Sequence, residues 1–99
     1  MDHLIFAYGT LLDPDVQEAV IGRRIEGRPD RLRGFTKSAL EDWPHSFPNL
    51  VPDAESVADG RVIEVTQHEL GRIDLYEGDL YVRHRVTLES GAVTWAYYA

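Results

Sequence analysis

The run Leu4-Ile5-Phe6-Ala7-Tyr8 carries neither a charge nor a helix breaker, and Gly9 ends it. A short apolar run closed by glycine reads as a buried strand, so the rest of the chain must assemble around its own beginning. With 99 residues there is room for one core and not two. No cysteine is present, which excludes a disulfide scaffold, a thiolate zinc site and a cysteine nucleophile. The core therefore holds by packing alone. Apolar residues at 43% and charged residues at 27% place the chain among globular proteins rather than disordered ones.

After the opening strand, Asp13-Pro14 marks a helix start, with Asp13 as the cap and Pro14 at the first helical position. Val16, Ala19 and Val20 are expected to form its inner face, and Gly22 to close it. A strand is expected near Asp30–Ser38, bulged at Gly34. Trp43 to Pro52 carries Pro44, Pro48 and Pro52 and reads as a rigid loop, suited to wall a site. Val57–Val65 reads as a strand, with Gly60 as a tight bend. Thr66 with Glu69 three residues on is a capping box, starting a helix that stops at Gly78. Tyr81–Leu88 and Ala92–Tyr98 complete the strands, joined by a turn at Ser90-Gly91. The sum is one α+β domain of about five strands and two short helices, with a closed or nearly closed sheet to remove exposed edges.

The formal charge is −7. A surface that acidic argues against general nucleic-acid binding, which needs a basic face. Arg23, Arg24, Arg28, Arg31 and Arg33 form a local exception, either a solvated face diluted by Glu26 and Asp30 or a patch for an acidic partner. No apolar run approaches the 18 or so residues of a membrane span. Met1-Asp2-His3 lacks the basic region of a signal peptide. A cytosolic protein without membrane contact is the expectation.

Leu70, Ile73 and Glu77 share one face of the second helix. Leu70 and Ile73 need burial, so Glu77 is expected to point to the same interior, with Leu75 and Tyr76 adding apolar bulk. Desolvation would raise its pKa toward neutrality, the property of a general acid–base, unless Arg83 or Arg85 compensates. The alternative is a frayed helix end that lets Glu77 swing into water. Asp74 is the rival carboxylate and reads as a helix anchor. Tyr8-Gly9-Thr10-Leu11 joins the first strand to the first helix. Gly9 allows close backbone approach, and successive N–H groups in such a turn can converge on a carboxylate or oxyanion. His3, His45, His68 and His84 show no metal-ligand spacing and read as surface or structural residues.

Taken in order, these segments resemble the gamma-glutamylcyclotransferase-like family. Phe6-Ala7-Tyr8-Gly9-Thr10-Leu11 is similar to its YG[ST]L substrate loop, and Phe47-Pro48-Asn49-Leu50-Val51-Pro52 to its proline-bearing middle loop. Gly60-Arg61-Val62-Ile63-Glu64-Val65 resembles its central strand. Ile73-Asp74-Leu75-Tyr76-Glu77-Gly78 with Tyr81-Val82-Arg83 resembles the end of its catalytic helix and the strand after it. The resemblance implies a small mixed β-barrel of about five to six strands flanked by two short helices, with the site at its mouth. It implies Glu77 as the catalytic carboxylate, Tyr8, Gly9, Thr10 and Leu11 as the cradle for a gamma-glutamyl group, and Tyr81 as a supporting contact.

The implied activity is cyclisation of a small gamma-glutamyl compound to 5-oxoproline with release of an amine. Because ring closure is intramolecular, no cofactor and no metal are expected. A non-catalytic binding or interaction module on the same fold is the alternative. A third reading is an amide-processing step on a larger gamma-glutamyl-tagged substrate. Oligomeric state is left open, since Trp95 and Tyr97 would suit either a core or an interface.

Overall fold

A computed structural model describes residues 2–42 and 45–99, and the side chains of all of these except 40–42 and 45–46. Its elements are β1 (His3–Ala7), α1 (Pro14–Ile21), β2 (Arg28–Asp42), β3 (His45–Val65), α2 (Gln67–Glu77), β4 (Val82–Thr87) and β5 (Val93–Tyr98). Short 3-10 turns cover Thr10–Leu12 and Gly78–Leu80. The five strands form one sheet in the order β2-β3-β1-β5-β4. β1 runs parallel to β5, and the other pairs are antiparallel.

The unbroken apolar opening is explained by this order, because β1 lies in the middle of the sheet and alternates between two cores. Ile5 and Ala7 face Ile63, Val65, Leu70 and Ile73 beneath the helices. Phe6 and Tyr8 face Leu32, Leu50, Val62 and Ala96 inside the curl of the sheet. The edge strands are brought together at one end. Glu89 N–H donates to the Arg31 carbonyl at 2.8 Å, and the Ser90 hydroxyl donates to the Asp30 carboxylate at 2.5 Å. The result is a curled, nearly closed half-barrel of five strands, which covers part of two edges that would otherwise be open to pairing.

Local signals account for most boundaries. The Asp13 carboxylate accepts from Asp15 N–H at 2.8 Å, Pro14 opens α1, and Gly22 ends it at φ +80°. Thr66 and Glu69 form the expected capping box of α2. Arg23 then grips the Glu69 carboxylate at 2.7 Å, and this hydrogen bond, before any other cause, holds that group down at about 2. Gly34 does mark a bulge, at φ +84°, where the β2–β3 register shifts. Trp95 and Tyr97 pack in or against the core beneath the helices.

Three expectations are corrected. The rigid loop over Trp43–Pro52 is, where described, the first part of β3. Trp43 and Pro44 lie outside the described residues. There β3 pairs only with β2, so a residue without N–H costs no ladder bond where its nitrogen faces away. The Pro48 carbonyl accepts from the Tyr81 hydroxyl. On α1 the inward residues are Gln17 and Ile21 beside Val16 and Val20, while Ala19 is exposed. Gln17 is tolerated there because its amide is satisfied at both ends, donating to the Leu11 carbonyl and accepting from Ile25 N–H, each at 2.8 Å. Gly60 is no bend. It sits inside β3 opposite Asp30, where a Cβ would meet the Ala7 carbonyl at 2.5 Å and the Phe6 ring at 2.7 Å.

The arginine cluster resolves into a solvated, paired face. Besides Arg23 with Glu69, Arg24 pairs with Asp15 and Glu18, Arg31 with Asp59, and Arg33 with Glu89. Among the described residues, no helix is long and apolar enough to cross a membrane.

The close approach at Gly60 sets a prediction. Gly60→Ala has to part β3 from β1 and the Phe6 ring, and should cost about 1–3 kcal/mol in urea unfolding. A loss below about 0.5 kcal/mol would mean the strands yield freely there.

Candidate active site

An open cleft, with a cavity volume of about 30 Å³, lies at the C-terminal end of β1. Its floor is the continuous run from Ile5 to Leu11, and Pro48, Glu77, Tyr81 and Tyr97 close its sides. Every site residue expected from the sequence is therefore gathered at one cleft, although β1, α2 and the start of β4 are far apart in the chain.

Glu77 is positioned by its helix. Leu70 and Ile73 are 2% and 0% exposed, and Glu77, one turn further along the same face, is half-buried at the cleft. The last turn of α2 does not fray, because Gly78 N–H donates to the Asp74 carbonyl while Gly78 takes φ +64°. Burial alone lifts the Glu77 carboxyl from 4.5 to about 7. No hydrogen bond to this carboxylate is found among the described residues. The two arginines offered as compensators are engaged elsewhere, since both guanidinium groups stack on Trp95, Arg83 at 4.4 Å and Arg85 at 3.7 Å. Leu75 and Tyr76 do not add buried bulk either, being 84% and 42% exposed.

Asp74 is the anchor expected of it. Its carboxylate accepts from the Tyr97 hydroxyl at 2.6 Å and lies 3.6 Å from Arg83. Tyr97 is a site residue that sequence reasoning missed. Its carbonyl accepts from the Tyr8 hydroxyl at 2.5 Å, so one residue of β5 ties α2 to the strand that carries the loop. Burial raises both phenols, reinforced by Asp74 for Tyr97 and by Tyr81 and Glu77 for Tyr8. Both remain donors through the neutral range. The alternating apolar pattern of β5 was the available signal for Tyr97, but it fits a core tyrosine equally well.

The loop itself is held from behind. Gln17 grips the Leu11 carbonyl, while Leu12 N–H donates to Gly9 and Asp13 N–H to Thr10, each at 3.0 Å. Among the described residues, no partner is found for the N–H groups of Gly9, Thr10 and Leu11. Gly9 is needed for contact, since a Cβ there would meet the Pro48 side chain at 2.9 Å. Tyr81 donates its hydroxyl to the Pro48 carbonyl at 2.5 Å, bracing the β3 arm against the cleft. The described histidines stand apart from the cleft lining. His3 pairs with Gln67, and His84 stacks on Tyr98 at 3.8 Å.

Residues 5–99 match the family model described as "Gamma-glutamyl cyclotransferase, AIG2-like". The chain belongs to this family. It is similar to "Protein AIG2 C" of Arabidopsis thaliana, with 33% identity over 88% of this chain and 51% of that protein. It is also similar to "AIG2-like protein A" of the same plant, with 34% identity over 82% of this chain and 48% of that one. The chain thus spans about half the length of the curated relatives it matches. Among solved structures, an Arabidopsis thaliana protein studied in solution superposes at TM-score 0.83 with 30% identity, over 98% of this chain and 68% of that one. A structure of a gamma-glutamyl cyclotransferase superposes at TM-score 0.83 over 99% of this chain and 66% of that chain. At 18% identity it speaks for the fold.

The raised Glu77 carboxyl sets a prediction on stability. Its folded pKa of about 7 lies above the ordinary 4.5, so the folded state holds the extra proton between those values. Stability therefore falls as pH rises through this window. Glu77→Gln should unfold like the parent near pH 4.5 and be more stable by on the order of 2 kcal/mol at pH 8. Parallel urea titrations at the two pH values check this, and equal stabilities at pH 8 would show Glu77 to be solvated.

Proposed function

We propose that the cleft cyclises a gamma-glutamyl amide or amine to 5-oxoproline, with Glu77 as general acid–base. One observation carries the reading. An unpartnered carboxylate, half-buried and raised to about 7, faces a loop of free backbone N–H groups. Family membership supports the same chemistry.

The reaction needs a proton moved and a chain folded on itself. Glu77, as carboxylate, takes a proton from the substrate's alpha-ammonium group. The freed nitrogen attacks the gamma-carbonyl carbon, forming the ring C–N bond and placing negative charge on oxygen. Glu77 returns its proton to the departing nitrogen as the original C–N bond breaks, and the ring nitrogen gives up its second proton, which ends on the released amine as an ammonium group. The products are 5-oxoproline and the free amine, with no water consumed. Holding the substrate bent for attack replaces several kcal/mol of entropic cost. The N–H groups of Gly9, Thr10 and Leu11 hold the substrate carboxylate or steady the oxyanion. Tyr8 and Tyr81 shape the walls. The Tyr81 hydroxyl proton is committed to Pro48, so Tyr81 sets the width of the cleft instead of donating to Glu77.

The activity is tested by incubating the protein with a panel of gamma-glutamyl amines and dipeptides and following 5-oxoproline by chromatography. Glu77→Gln should keep the fold and lose at least about a hundredfold in turnover. The parent's kcat/KM should rise with pH through about 7, as the carboxylate form is populated. Near-normal turnover by Glu77→Gln would defeat the assignment. Silence across the panel, with a ligand still stabilising the fold, would favour a binding module.

A further inference from the structure

The hydroxyl of Tyr76 donates to Thr10 Oγ1 at 2.7 Å. This is a bond between the residue just before Glu77 and the middle of the substrate loop. Nothing about core packing requires it, since Tyr76 is 42% exposed and outside both apolar clusters. Its direction matters. A phenol is a more acidic hydroxyl than an alcohol and the better donor, which makes Thr10 Oγ1 the acceptor, and no other partner for the Thr10 hydroxyl is found among the described residues. Its proton is left to be donated, and a hydroxyl that accepts one hydrogen bond is a stronger donor in the next. A second observation says why the cleft would need such a donor. Among the described residues, Glu77 is the one charged side chain in the lining, and no Arg, Lys or His joins it. Beside that acid, the described lining offers a substrate carboxylate neutral donors and no side-chain cation.

We propose that Tyr76 is a positioning residue which, through Thr10, makes the cleft selective for a ligand carrying a carboxylate. Tyr76 fixes the rotamer of Thr10 and aims its hydroxyl proton at the carboxylate. The same bond fastens the last turn of α2 to the loop, so the acid–base and the carboxylate seat keep one spacing. This rests on the reading of the cleft as a gamma-glutamyl site and names how that site recognises the anionic end.

The test measures binding apart from turnover. Calorimetry on the full chain compares 5-oxoproline with its carboxamide, which keeps the ring and lacks the charge. The parent should prefer the acid. Tyr76→Phe, which keeps the ring and loses the hydroxyl, should reduce that preference about five- to tenfold. In a Thr10→Val background the same change should matter less than about twofold, because the two residues act as one unit. Thr10→Ser should restore the dependence on Tyr76. Melting curves confirm that each variant is folded.

An unchanged acid-to-amide ratio in Tyr76→Phe would overturn the proposal. So would fully additive losses, or a parent that does not distinguish the two ligands. Turnover measured on the same preparations separates the two ideas. Turnover with a Tyr76-independent ratio sinks the Tyr76 role and leaves Glu77 standing. A Tyr76-dependent ratio without turnover supports carboxylate recognition and removes the catalytic reading.

Discussion

A carboxyl group half-buried with no cation beside it among the described residues is an unfavourable arrangement, and the rest of the site depends on its being enforced. Enforcement comes from the two ends of α2. At the start, Thr66, Glu69 and Arg23 form a closed set of hydrogen bonds that fixes where the helix begins. In the middle, Leu70 and Ile73 lock its rotation against β1 and β3. At the end, Asp74 is tied to β5 through Tyr97 and lies close to Arg83 on β4. With rotation and both ends fixed, the next residue on the inner face is held half-buried at the cleft. The cost of holding Glu77 there is spread over a helix that would be stable without it.

The opposite wall follows a similar logic. The loop after β1 lines the cleft with its carbonyls occupied, by Gln17 and by the turn itself, and its N–H groups without a partner among the described residues. Tyr97 joins the walls by offering its hydroxyl to α2 and its carbonyl to Tyr8. The β3 arm adds Pro48, whose carbonyl is held by Tyr81 and whose ring packs so close to Gly9 that no side chain fits between them. Elements distant in sequence are thus joined by side-chain hydrogen bonds around a cavity. A sheet that curls, instead of lying flat, is what brings them within reach.

Those parts of the architecture set by local rules were legible in advance. The capping box at Thr66, the bulge at Gly34 and the apolar run of β1 each follow from residues within a turn of one another, and each is found. The inward Glu77 was legible because helical periodicity carries direction over seven residues. What could not be read is what depends on a partner far along the chain. Gln17 reads as an ordinary polar helix residue until Leu11 and Ile25 are placed beside it. Three prolines read as a loop unless it is known that one side of β3 lacks a neighbour. Arg83 and Arg85 read as possible counter-ions for Glu77, and Trp95 on the adjacent strand takes them both. Ion pairing was equally invisible, so five arginines in one stretch left a solvated face and a patch for a partner both open, until the acids of α1, α2, β3 and the turn after β4 are seen to pair with Arg23, Arg24, Arg31 and Arg33.

Charge gives the last constraint. The chain carries a formal −7, and the cleft adds a carboxylate of its own, so long-range attraction does not bring an anionic ligand here. Recognition of a carboxylate must come at contact distance, from groups that are polar without being charged. Backbone N–H groups and a hydroxyl meet that need, and they leave the Glu77 proton near its tipping point. An arginine in the same place would bind the anion more strongly, but it would also pull the Glu77 pKa down by a unit or more. The acid would then be largely ionised at neutral pH and, in the proposed reaction, a poor donor to the leaving nitrogen. A neutral seat for the anion and a carboxyl poised near pH 7 are therefore one requirement, and it accounts for a cleft lined by a glycine, a threonine and tyrosines.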